Sequence, residues 1–388
     1  MIILYPHTQR FMLRRAHDAL VMRTCHALAC RGHQVWLLMG RTAADPAAIV
    51  RHYGLEPHPN LHLVQLPVLR LKTRWLSLSW HGVFNFFCRR TLEKLVAHLK
   101  PDLIYLSEIK LGEKLLTWRG LRALPVAYEV HGLAAPGYEK PDPREQRVFS
   151  GVTALITTTA SLRSVITRLY NNLPPCHLVP LAADPGKIIP FAPPKDNVSW
   201  KLCYIGQLYP LQGVDILIRA LALLPSAVTL EIVGGRDDHL QMLRSLARAQ
   251  GVAERVIFHG FVAPGEVSAL AARAHIFVMP SRAEGKMPYV AHTKLYEYMA
   301  WGRPVVAADL EVLREDLIDG INGVLFEAGN PEALAQAVRR VMADPENASC
   351  MAAHGLEQAQ NFTWERRAER LERCFEEITQ KDLAFSKG

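Results

Sequence analysis

The chain has 388 residues, of which 49% are hydrophobic and 21% charged. That balance excludes a disordered or membrane-embedded chain, and the length exceeds one ordinary core, so two domains of roughly 150 to 200 residues each are expected. The net charge of +8 is uneven: residues 1–125 carry 18 Lys/Arg against 7 Asp/Glu, while the rest carries 27 against 30. A segment this basic points to a membrane surface or an anionic acceptor, and no recognition motif for nucleic acid accompanies it.

Met1–Tyr5 reads as the first strand, with no basic lead or cleavage site of a signal peptide. Pro6 to Arg10 is read as the following loop, entering a helix that ends at Arg31-Gly32-His33 with glycine as its C-cap. QVWLLM (34–39) is the second strand and Leu61–Leu69 the third. The run WLSLSWHGVFNFFC follows, bounded by Lys72 and Arg74 on one side and Arg89 and Arg90 on the other. It is too short to cross a bilayer, which takes about twenty apolar residues. Its aromatics, Trp75, Trp80, Phe84, Phe86 and Phe87, fit either a helix lying in a membrane interface or a core helix.

PDLIYLSE (101–108) and PVAYEVHG (125–132) read as buried strands; the second ends in His131-Gly132, with Glu129 on the histidine's face. ALITTT (154–159) enters another helix, and the proline-rich stretch Cys176–Trp200 is expected to be a linker. The seven scattered cysteines have no CxxC pair and no metal spacing, which argues for reduced thiols in a cytosol.

Lys201–Pro225 reads as strand, glycine loop and helix, followed by the strands VTLEIVGG (228–235) and VIFHGFV (256–262). HIFVMP (275–280) is then a strand, a polar loop carries Glu284, and a helix from about Thr293 holds Lys294 and Glu297 one turn apart. Gly302 and Pro304 stop that helix before the strand VVAAD (305–309). Such a βαβ unit belongs to a parallel sheet that binds ligands at the carboxyl ends of its strands. A carboxylate one turn into the helix can accept both hydroxyls of a ribose. The helix N-terminus can face a diphosphate through its free N–H groups and dipole. FTWERRAERLERCFEEI (362–378) is a final amphipathic helix.

The pairing of PSRAEG (280–285) with KLYEYMAWGRPVVA (294–307) resembles the donor-site motif of retaining glycosyltransferases of the family 4 type. The resemblance implies an α/β protein of the GT-B fold, two Rossmann-like doubly wound domains facing a central cleft. Residues 1–185 would be the acceptor domain, 186–360 the sugar-nucleotide donor domain, and 361–388 a helix packing back on the first domain. It implies that Glu297 holds the ribose, that Glu284 meets the sugar hydroxyls or the developing positive charge, and that His131 positions sugar and phosphate. Gly206, Gly234, Gly260, Phe261 and Leu295 would line the donor.

Two departures stand out. Glu284 and Glu297 are thirteen positions apart where the family has eight, and Tyr289 stands at the eight-residue spacing. The segment IGQLYPLQG resembles the family's glycine loop, but Gln207 and Gln212 occupy the places of an arginine and a lysine that clamp the diphosphate. Arg282, Lys286 and Lys294 are the candidate replacements. His7 and Arg10 are assigned to the acceptor, where the family often has a glycine pair.

No D-x-D triplet is present, so metal-independent transfer is expected, with the nucleotide-diphosphate sugar as co-substrate and no other cofactor. The expected acceptor is a glycan or lipid-linked molecule of surface-polysaccharide assembly. The expected location is the cytoplasm at the inner face of the membrane, with peripheral contact through residues 72–90. A sugar-nucleotide epimerase and a binding partner with a degenerate donor site remain as alternatives; Gln207 and Gln212 speak for the latter.

Overall fold

The structure is a computed structural model that describes residues 1–12, 16–68, 71–72, 77–78, 80–134, 138–184, 190–194, 199–262 and 264–385. In chain order, the elements up to residue 178 are β1 (Ile2–Arg10), α1 (Ala16–Cys30), β2 (Gln34–Gly40), α2 (Pro46–His52), β3 (Leu61–Leu66), β4 (Leu71–Lys72), β5 (Ser77–Leu78), α3 (Trp80–Leu99), β6 (Leu103–Leu106), α4 (Ile109–Leu115), β7 (Val126–Val130), α5 (Pro143–Gly151), β8 (Ala154–Thr157), α6 (Ala160–Leu169) and β9 (Cys176–Leu178). There follow β10 (Lys201–Ile205), α7 (Val214–Ala222), β11 (Thr229–Val233), α8 (Asp237–Ala249), β12 (Val256–Gly260), α9 (Pro264–Arg273), β13 (Ile276–Met279), α10 (Thr293–Ala300), β14 (Val305–Ala308), α11 (Glu311–Arg314), β15 (Val324–Phe326), α12 (Pro331–Ala343), α13 (Pro345–Ala359) and α14 (Trp364–Phe385).

The chain divides into two compact units: Met1–Thr158 with Leu162–Pro180 and Trp364–Gly388, and Thr159–Ser161 with Leu181–Thr363. Among the described residues, the first unit holds a seven-stranded sheet in the order β3-β2-β1-β6-β7-β8-β9, and the second a six-stranded sheet in the order β12-β11-β10-β13-β14-β15. Neighbouring strands within both sheets run parallel. Parallel sheets are covered on both faces, so their strands are continuous apolar runs. LIYL of β6, ALIT of β8, IFVM of β13 and VVAA of β14 are buried throughout. Each sheet reverses strand order once, between β1 and β6 and between β10 and β13, and ligands bind at such a reversal beyond the carboxyl ends of the strands.

Two sequence expectations are corrected here. Pro6–Arg10 is not a loop but the second half of β1, because β2 runs on to Gly40 and gives it a partner. The register shifts between Pro6 and Arg10, where a proline lacks an N–H to donate. The proposed linker begins later than Cys176, since Cys176–Leu178 adds β9 to the sheet edge beside β8. The basic aromatic stretch divides as well. Its first part pairs β4 with β5 in an antiparallel ribbon, and only from Trp80 does it become helix α3; Trp75 lies outside the described residues. On α3, Phe84 is fully buried while Phe86 is 53% and Phe87 39% exposed, so the helix has both a core face and an aromatic outer face. Among the described residues, no helix is long and apolar enough to cross a membrane.

The final helix α14 belongs to the first unit and packs along α1. Its Leu371 and Phe375 join Tyr5, Cys25 and Tyr105 in one core.

Candidate active site

In the second unit the order reversal is lined by the β10 loop, the loop after β13 and the start of α10. Gly206 has φ +150°, a conformation that L side chains rarely adopt, and a Cβ there would stand 2.2 Å from Cε of Lys294 and push that chain aside. Gly213, at φ +69°, lies against the backbone carbonyl of Pro280, which a Cβ would meet at 1.8 Å. These glycines let two loops and one lysine converge.

Lys294 is the centre of that convergence. Its ammonium donates to the side-chain oxygen of Gln212 and, at 3.0 Å, to the hydroxyl of Tyr204, whose ring it also faces. Burial pulls its pKa down to about 8, against the opposing pull of Glu297. Lys294 thus brings a cation from α10 onto the side chain of Gln212. The other two candidates are placed differently. Arg282 donates to Asp215 at 2.5 Å and to the carbonyl of Pro210, so its charge is already matched. Lys286 is exposed on the loop after β13, as is Glu284. That longer loop is folded: Met287 is buried beneath it, and the carbonyl of Met287 lies 2.9 Å from Nε2 of His292.

Glu297 is half-buried one turn beyond Lys294, and Leu295 between them is buried. Tyr298 fixes α10 on the sheet, its hydroxyl bonded to both N–H and C=O of Ile205. Gln207 is exposed and lends its backbone carbonyl to Tyr204 at 2.6 Å. Gly234 and Gly260 have positive φ and are joined by a 2.6 Å backbone hydrogen bond; Phe261 beside them is 54% exposed.

In the first unit the order reversal is filled with titratable side chains. His7 is fully buried on β1, with Nδ1 2.8 Å from Glu108 and Nε2 3.5 Å from Asp18. Burial disfavours its charge, but the two carboxylates outweigh burial and raise its pKa. His7, assigned to the acceptor from the sequence, is thus placed as a buried ion-pair partner on β1. Glu108 also accepts from the N–H of Thr8 at 2.7 Å, and His7 and Thr8 keep its pKa low despite burial. The ring of His17 lies 5.4 Å from that of His7 and 5.0 Å from that of His131. Burial and the two neighbouring histidines lower the pKa of His17 to about 4. His131 stands just beyond β7 with its side chain 23% exposed, and Nε2 is 3.8 Å from Glu129.

Arg10 lies at the end of β1, exposed, with its guanidinium donating to the carbonyl of Val68 at 2.7 Å. It lines a cavity of about 550 Å³ with Phe11, Met12, Arg41, Thr42 and Val68. Among the described residues, no carboxylate pairs with either arginine of this cavity.

A family profile for glycosyl transferases group 1 matches residues 200–344, and one for a glycosyl transferase 4-like domain matches residues 18–182. The chain belongs to the group 1, family 4-like glycosyltransferases. One relative of this glycosyltransferase is the D-inositol 3-phosphate glycosyltransferase of Xylanimonas cellulosilytica, 27% identical over 66% of this chain and 67% of that protein. Another is the GDP-mannose-dependent alpha-(1-6)-phosphatidylinositol monomannoside mannosyltransferase of Mycolicibacterium smegmatis, 35% identical over 43% of this chain and 45% of that one. Among solved structures, Anabaena HepE in complex with UDP-glucose superposes with a TM-score of 0.72 at 18% identity, covering 97% of this chain and 100% of that one. The two Rossmann-like units are therefore those of the GT-B glycosyltransferase fold.

Sequence reasoning named Lys294 as one candidate among three and missed Asp18, Glu108, Arg41 and His17. The lysine had a signal, its place at the helix start. His17 and Asp18 share α1, but Arg41 and Glu108 come from other parts of the chain, and no spacing in the sequence brings them to His7 or Arg10.

Proposed function

We propose that this glycosyltransferase moves a sugar from a nucleotide-diphosphate donor to an acceptor hydroxyl with retention of anomeric configuration and without a metal ion. The observation that carries this reading is Lys294, whose ammonium stands on Gln212 beside the glycine loop. There it would meet the diphosphate together with the free N–H groups at the start of α10, and both stabilise the negative charge that develops as the sugar–phosphate bond breaks. Glu297 would accept the ribose hydroxyls. The acceptor oxygen would attack the anomeric carbon on the face the phosphate leaves, and the departing phosphate oxygen would take the acceptor's proton. Glu284 and His131 would meet the sugar during transfer.

For the acceptor we propose a glycan or lipid-linked molecule with an anionic group, held by Arg10 and Arg41. The two relatives are named for inositol 3-phosphate and a phosphatidylinositol mannoside, both phosphorylated. The exposed Phe86 and Phe87 of α3, with Arg90 over the Phe86 ring at 4.8 Å, would rest on an anionic membrane surface.

The experiment is nucleotide release from UDP-glucose and GDP-mannose in EDTA, with the anomer of the first-formed product read by proton NMR. Release from one donor, with the product in the donor's own anomeric form, is expected. An absolute need for a divalent cation, or the opposite anomer, would overturn the reading.

A further inference from the structure

His131 has a second layer of support that no motif marks. Two residues earlier on β7, Glu129 is 2% exposed, and its carboxylate is held from two sides. Tyr105 of β6 donates to Oε2, and Arg367 of α14 donates to Oε1. Arg367 is itself 1% exposed, and its N–H groups are all engaged: Nε faces Thr24 at 3.3 Å, one terminal nitrogen donates to the carbonyls of Val179 at 3.1 Å and Pro180 at 2.9 Å, and the other reaches Tyr105 and Glu129. A guanidinium with every donor matched in a rigid fork cannot swing, so neither can the carboxylate it holds. Oε2 of that carboxylate is the atom 3.8 Å from Nε2 of His131. Nε2 is buried and has no hydrogen-bond partner among the described residues.

We propose that Arg367 is a positioning residue for sugar transfer: from α14 it fixes the Glu129 carboxylate against which the His131 imidazole is oriented at the end of β7. This rests on the reading that His131 meets the donor sugar. The charges explain why a cation is needed. A lone buried carboxylate beside an imidazole would draw a proton onto it, whereas the Arg367–Glu129 pair is neutral as a unit. Among the described residues the other groups facing His131 are His17 from α1 and, farther off, His7 from β1. Burial first, and then Arg367 and His7, hold the His131 pKa below its ordinary value against the pull of Glu129. The imidazole is thereby kept neutral near pH 7, able both to accept and to donate a hydrogen bond.

The test uses Arg367→Met, Arg367→Lys and the double variant Arg367→Met/Glu129→Gln. The His131 titration is followed by NMR, assigned with His131→Ala, beside the pH profile of nucleotide release from UDP-glucose and GDP-mannose. Arg367→Met is expected to raise the His131 pKa by about one unit or more, the size of a nearby charge effect, and to move the acid limb of the rate profile with it. Arg367→Lys should restore most of the shift. The double variant, which leaves no unpaired buried charge and so should fold even if Arg367→Met does not, should titrate like wild type yet turn over at least about tenfold more slowly, as expected for a lost orienting contact. A wild-type titration in Arg367→Met, or wild-type turnover in the double variant, would overturn the inference. Full turnover in His131→Ala would instead remove the role of His131 on which it rests.

Discussion

The two units use the same topological feature in opposite ways. Both reverse strand order at the carboxyl edge of a parallel sheet, yet the second unit leaves that place to glycines and one cation, while the first packs it with His7, Asp18, Glu108, His17, His131 and Glu129. A diphosphate is recognised by backbone N–H groups and a positive charge, so its site needs space more than side chains. An acceptor hydroxyl and a reacting sugar need oriented polar groups, and orienting them in a buried place takes partners for each. On the proposed reading, one fold carries a donor site written in spacing and a second site written in contacts.

The second unit is most sensitive at Lys294. If its ammonium replaces the missing clamp, Lys294→Ala should lower turnover about a hundred- to a thousandfold, the usual loss when one transition-state charge contact is removed. Nucleotide release measures this, and near-normal turnover would show that the second unit works without its half-buried cation.

Legibility in the sequence followed the same division. Strands β10 to β14 and helix α10 lie close to where apolar runs and glycine punctuation put them, because each βα unit is a local pattern. Gly206, Gly213 and Glu297 were legible for the same reason. Position 212 was legible as a departure and Lys294 as one of three candidate cations, but not the choice among them: Lys294 is 82 residues away, and only the fold brings it to Gln212. In the first unit, Glu108 is 100 residues from Thr8 and Arg367 is 238 from Glu129, so no window of sequence could join them. Pro6–Arg10 was read as a loop, whereas pairing with β2 through a register shift keeps it in β1.

Smaller effects are expected on the acceptor side. Arg10→Ala and Arg41→Ala should each raise the KM for D-inositol 3-phosphate, used as a probe acceptor, by about tenfold or somewhat more, the worth of a charge-assisted hydrogen bond. Donor hydrolysis should be untouched in both. Unchanged KM in both variants would remove the anionic subsite from the first unit. Smallest is the effect at α3: Phe86→Ser/Phe87→Ser should weaken binding to vesicles of anionic lipid several-fold while changing stability by no more than about 0.5 kcal/mol per site, as for surface substitutions generally. Unaltered vesicle binding would mean that this aromatic face rests on something else.

Whether a lysine from α10 stands in for the diphosphate clamp is read out by calorimetric binding of UDP and GDP in EDTA at pH 7 and pH 9. A bound diphosphate favours the protonated ammonium, so affinity should be full below the Lys294 pKa of about 8 and fall as pH rises through it. Wild type should bind one of the two nucleotides in the micromolar range at pH 7 and about tenfold more weakly at pH 9, a shift of one pKa unit being worth a factor of ten. Lys294→Ala should bind weakly at both. Equal affinity in wild type and Lys294→Ala, or binding by wild type that does not change between the two pH values, would contradict the account.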